Sequence, residues 1–129
     1  MVRRHAFAVA AWLFVLGVVV QVFLAGAAIF EVTDFIPHGY LGWLLPFVPV
    51  LLLALALIAR AGRRTALMSI ALVVVTAIQP ELAIARDRDP LLAAFHPANA
   101  LLIFWLAWMV ARRSTEMLRR SDVIDLSRP

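Results

Sequence analysis

The sequence predicts an all-α protein: a transmembrane four-helix bundle running up-down-up-down and built from two parallel two-helix repeats. Three observations carry that prediction. Four stretches are long and apolar enough to span a bilayer, the arginines cluster on one side of them, and a polar pattern recurs at an offset of 58 residues. With 64% hydrophobic residues, 16% charged residues and a mean hydropathy of +0.95, the composition argues against an ordinary soluble domain.

A membrane helix needs about 20 largely apolar residues. Residues 6–30 and 39–59 carry no charge, and 91–111 carry none apart from any proton on His96. Residues 65–85 are the weakest span, because Pro80 and Glu81 interrupt the end. The predicted helices cover 6–30, 38–60, 65–85 and 90–112, forming one transmembrane domain over 1–113. Residues 114–129 read as a cytoplasmic polar tail, either a short helix or a frayed end. The opening Met1-Val2-Arg3-Arg4 with Ala25-Gly26-Ala27 imitates a signal peptide, yet the apolar run is too long for one, so a retained first helix is expected.

Asp34 or Thr33 is a candidate cap for the second helix, with Pro37 tolerated in its first turn. Asp89-Pro90 is the start signal for the fourth, which puts His96 two turns in. Pro46 and Pro49 should kink the second helix, since proline removes a backbone donor. Gly62 is suited to ending it. The short link 60–64 favours antiparallel neighbours.

The chain has no lysine, so arginine sets orientation. With a cytoplasmic N-terminus, the inner side holds Arg3, Arg4, Arg60, Arg63, Arg64, Arg112, Arg113, Arg119, Arg120 and Arg128, and the outer side only Arg86 and Arg88. That split follows the positive-inside rule and predicts a multi-pass protein of a bacterial plasma membrane with both termini cytoplasmic. The arginines sit at helix ends, where they meet lipid headgroups, so the basic balance is not read as nucleic-acid binding. Cysteine is absent, which excludes disulfides and thiolate metal sites.

The repeated pattern is Gln-x-x-Leu-Ala with a histidine 17 positions after the glutamine: Gln21 with His38, and Gln79 with His96. Polar side chains in a membrane bundle are costly unless paired, so each invites explanation. The bland reading is an interfacial histidine bonded to water or a loop carbonyl, and a glutamine fixing helix register. The sharper one is two imidazoles facing each other across an axis. A bare zinc or copper ion wants more ligands than this chain offers, whereas a haem iron already has four nitrogens and needs only two histidines. One turn beyond the histidines stand the small residues Gly42 and Ala100, which would leave room for a flat macrocycle. Asn99 shares the face of His96, Gln21 and Gln79 would orient imidazoles, and Arg86 and Arg88 are candidate partners for haem propionates. No carboxylate or arginine is embedded away from the ends of the first two helices, which counts against a proton-driven transporter.

The stretch Asp34-Phe35-Ile36-Pro37-His38, with a second histidine near the outer start of the fourth helix, resembles one half of heme A synthase. That family has two tandem four-helix units with histidines on the second and fourth helices. The resemblance implies haem binding by His38 and His96 and sets Asp34 opposite the family's catalytic acid. Here one extra residue separates the acid from His38, Gly39 stands where the synthase has arginine, and only one unit is present. Porphyrin oxidation therefore does not carry over. The motifs Q-x-x-L-A-G at Gln21–Gly26 and H-P-x-N-A-L at His96–Leu101 also resemble those of a family of small uncharacterised bacterial four-helix membrane proteins.

The resulting expectation is one b-type haem between His38 and His96, serving electron transfer or haem handling, with the lipid bilayer and a redox partner or a second copy as partners. The alternative is a membrane anchor or assembly subunit without a cofactor.

Overall fold

A computed structural model describes residues 2–126, and side chains through residue 120. Arg128 and the last residues of the tail lie outside the described residues. Helix α1 covers Val2–Ile29, α2 Ile36–Leu44, α3 Val48–Ile58, α4 Arg63–Ile84, α5 Pro90–Ala93 and α6 Phe95–Leu126, with no strand among the described residues. Four helical stretches are long and apolar enough to cross a membrane: Val2–Ile29, Ile36–Ile58, Arg63–Asp87 and Pro90–Arg120. The third of these is not the least apolar, as expected from Pro80 and Glu81; the fourth is. Tryptophan, histidine, asparagine and proline lower the fourth, while Pro80 and Glu81 touch only the last turns of α4.

The breaks follow from missing donors. Pro46 and Pro49 cannot bond the Gly42 and Leu45 carbonyls in α-helical fashion, so the chain tightens into a 3-10 turn over Leu45–Phe47 between α2 and α3. There the Val48 N–H reaches the Leu45 carbonyl instead. Pro97 likewise leaves the Ala93 carbonyl without its usual partner, and α5 parts from α6 at Ala94. Asp89 caps α5, accepting from the Leu91 and Leu92 N–H groups at 3.0 Å each. Asp34 accepts from Ile36 N–H at 3.0 Å just ahead of α2, but the N-cap position falls to Phe35 and no side chain caps the helix there, so neither Asp34 nor Thr33 is the cap that was expected.

Gly62 does not end α3. Arg60 takes the left-handed position (φ 53°), and the Ala61 N–H closes back on the Ala56 carbonyl at 2.9 Å. Glu31 (φ 58°) ends α1 the same way, with Val32 N–H bonded to Ala27 O at 2.9 Å. Gly62 instead opens α4 in an extended conformation at φ 86°, open to glycine and strained for other residues. At the far end, α6 runs past Arg113 without a break to Leu126, where a separate tail was expected.

α1 packs on α3 and α6, and α4 packs on the same two helices. The centre is filled by Phe7, Phe14, Leu52, Leu72 and Val110 together with Ala11, Ala56, Ala107 and Ala111. Small side chains let helix backbones approach, the usual solution where lipid offers no hydrophobic drive. Buried hydroxyls are satisfied locally: Ser69 donates to Thr65 O (3.0 Å) and Ser114 to Ala111 O (2.6 Å). The large apolar residues Leu16, Phe23, Val50, Ile70 and Leu101 face outward, a surface suited to hydrocarbon rather than water. Two contacts tie the arginine-rich end: Arg113 Nε donates to Thr65 Oγ1 and Trp12 Nε1 to Thr115 Oγ1, both at 3.0 Å.

Candidate functional site

The two glutamine–histidine pairs meet at the opposite end of the bundle. Gln21 lies on α1 and His38 in the first turn of α2; Gln79 lies on α4 and His96 at the start of α6. In the first pair Gln21 Nε2 donates to the His38 carbonyl at 2.8 Å, and His38 Nδ1 lies 3.0 Å from the Gln21 carbonyl. In the second, Gln79 Nε2 donates to the His96 carbonyl at 2.9 Å, and His96 Nδ1 lies 3.1 Å from the Gln79 carbonyl. The same two atom pairs thus close each hairpin. A carbonyl oxygen only accepts, so Nδ1 carries a proton in both rings, which in a neutral imidazole leaves the lone pair on Nε2.

The imidazole centroids are 6.3 Å apart with planes at 66°. Ligating nitrogens about 2.0 Å from a shared metal, and about 1.2 Å from their own ring centres, give a centroid separation near 6.4 Å when they stand on opposite sides. Two rings on a common metal axis are free to rotate against each other, so the interplanar angle is compatible as well. Nδ1–H bonded to a carbonyl is the arrangement that orients a metal-ligating imidazole and strengthens its Nε2 as a donor. Among the described residues no group of three or more histidine, cysteine or acidic side chains gathers to hold a bare ion.

Both histidines open on a cavity of about 630 Å³, mostly walled by hydrocarbon. That volume lies within the ~300–1,000 Å³ common for small-molecule and cofactor sites. Phe14, Val18 and Gln21 come from α1, Gly42 and Trp43 from α2, Thr76 and Gln79 from α4, and Ala100 and Ile103 from α6. Of the aromatic residues on α2 and α6, Trp43 lines it, while Phe95, Phe104 and Trp105 do not. Arg86 and Arg88 are exposed on and just after the 3-10 turn Ala85–Asp87, outside the cavity wall. Asp34 accepts from the Ile36 N–H just ahead of α2 and does not line the cavity.

The glycine has a different use from the one its spacing suggested. A Cβ at Gly42 would come within 2.8 Å of Gln21 Nε2. The space above Gly42 is filled by the glutamine amide, which lies against the α2 backbone to reach the His38 carbonyl. Asn99 also has a role that spacing left vague. Its Nδ2 donates to Gln79 Oε1 at 2.6 Å and to the Val75 carbonyl at 2.8 Å. The position equivalent to Asn99 in the first hairpin is Leu41, which has no donor, and Gln21 Oε1 is buried without a partner. Gln21 Nε2 stands 3.5 Å from His38 Nε2.

A model of one protein family, Family of unknown function (DUF6220), matches residues 21–86, just over half the chain. The chain belongs to that family. The match begins at Gln21 and takes in His38 and Gln79, but stops before His96. It agrees with the resemblance to a small family without assigned function and carries no link to heme A synthase. No curated protein and no solved structure matches the chain.

Proposed function

We propose that this protein of the DUF6220 family is an integral protein of a bacterial plasma membrane that binds one b-type haem through His38 and His96. In this reading the bundle runs up-down-up-down from two parallel two-helix repeats, with both termini cytoplasmic. The 58-residue offset that relates the two glutamine–histidine closures supports the repeat, and the arginine distribution supports the orientation.

The observation that carries the proposal is the pair of imidazoles 6.3 Å apart, each with Nδ1–H held by the backbone carbonyl of a glutamine. His38 and His96 would hold the haem iron, the backbone carbonyls of Gln21 and Gln79 would fix ring orientation, and the apolar walls would exclude water. Haem bound there would supply one-electron chemistry, suited to electron transfer or haem handling rather than oxygen activation. A redox partner or a second copy of the chain would then be its partner in the membrane.

The test is an absorption spectrum of the detergent-solubilised protein, oxidised and then reduced. A sharp low-spin Soret and α band is expected, lost as a low-spin signature in both His38→Ala and His96→Ala. Folded protein that remains colourless after haem supplementation overturns the proposal. It would favour a cofactor-free anchor or assembly subunit, a reading supported by the way each glutamine stitches two helices together.

A further inference from the structure

The supports of the two histidines are unequal. Gln79 is tied at both ends, through Nε2 to the His96 carbonyl and through Oε1 to Asn99, which also holds the α4 backbone at Val75. Gln21 is tied only through Nε2, and its Oε1 is a buried acceptor with nothing to accept from. The elements differ as well. α2 has nine residues, none of them buried, and gives way to a 3-10 turn directly after Leu44. His96 stands on α6, whose buried Ile103, Leu106, Ala107 and Val110 anchor it in the core. Segments with few buried contacts and few tertiary hydrogen bonds open first.

Resting on the haem reading above, we infer that His38 is the exchangeable axial ligand of this site and His96 the permanent one. A small neutral molecule such as carbon monoxide then binds the metal on the Gln21 side. The Gln21 amide already stands 3.5 Å from His38 Nε2, so it borders the position that an incoming ligand would take. Its unpartnered carbonyl keeps that side of the site poised: moving the Gln21 amide gives up its bond to the His38 carbonyl and a long contact to His38 Nε2, whereas moving the Gln79 amide gives up its bonds to the His96 carbonyl and to Asn99, which is itself held by the Val75 carbonyl.

Two measurements test this. In the first, reduced haem-loaded protein is mixed with carbon monoxide and followed by its Soret band. Wild type should bind it, and His38→Ala should bind it faster while retaining haem. Leu41→Asn, which supplies the partner that Asn99 gives Gln79, should slow binding about tenfold, equivalent to about 1.4 kcal/mol in barrier. Equal rates in wild type and Leu41→Asn, or a carbon monoxide-ready state in His96→Ala but not in His38→Ala, overturn the inference. In the second, amide hydrogen exchange is read on the haem-free protein. Residues 36–44 should exchange faster than 95–103, and Asn99→Leu should raise exchange at 95–103 if Leu41→Asn does not fold. Equal protection of the two segments overturns the asymmetry whether or not haem is bound. Absent colour in every variant, with unequal protection, upholds the asymmetry and sinks only the haem assignment.

Discussion

Gly42→Ala isolates the contact between α1 and α2 on which His38 depends. Alanine is the better helix former by about 0.5–1 kcal/mol, so on propensity alone the change should stabilise α2. The added Cβ would meet Gln21 Nε2 at 2.8 Å, closer than such atoms come. Swinging the flexible amide away relieves the collision, but it gives up the 2.8 Å bond to the His38 carbonyl. A part-buried amide left without its partner costs about 1–3 kcal/mol. The difference is a net loss of about 1 kcal/mol. The second hairpin shows what repairs it: Ala100 already carries a Cβ at the equivalent place, and Gln79 still reaches the His96 carbonyl at 2.9 Å with its other end held by Asn99. Gly42→Ala combined with Leu41→Asn should therefore recover most of the loss, whereas in a Gln21→Ala background Gly42→Ala should be neutral or stabilising. Denaturant unfolding in detergent micelles reads all four variants. A Gly42→Ala protein that gains stability equally with and without Gln21 would refute the reasoning.

Asp89→Ala removes the acceptor for two N–H groups at the start of α5 and should cost about 0.5–2 kcal/mol in thermal unfolding, with faster hydrogen exchange at residues 90–94. Ala111→Leu places three extra carbons where α1 meets α6, at a residue with 0% exposure, and should cost about 1–3 kcal/mol in the same assay; an unchanged midpoint would mean that the core there is not close-packed.

Much of the helical layout was legible before any coordinates, because spanning helices declare themselves through uninterrupted hydrocarbon and prolines mark breaks. The Asp89 cap and the interruption at Pro46 and Pro49 belong to this local chemistry. The termini of helices were less legible. Arg60 and Glu31 adopt left-handed backbone although glycine is the usual choice, since the helix-closing bonds of Ala61 and Val32 outweigh a penalty of about 1–2 kcal/mol each.

At the candidate site, the spacing of Gln21, His38, Gln79 and His96 marked the residues that come together, but not which atoms they use. Composition and periodicity determined by themselves that this chain forms four apolar helices, because burial of hydrocarbon and the 3.6-residue turn depend on local order alone. Tertiary structure decided that glutamine carbonyls orient both imidazoles, that Gly42 makes room for an amide, and that Asn99 leaves one hairpin better tied than the other. Those outcomes depend on how close two helices distant in sequence come to each other, and that distance is set by the packing of every side chain between them.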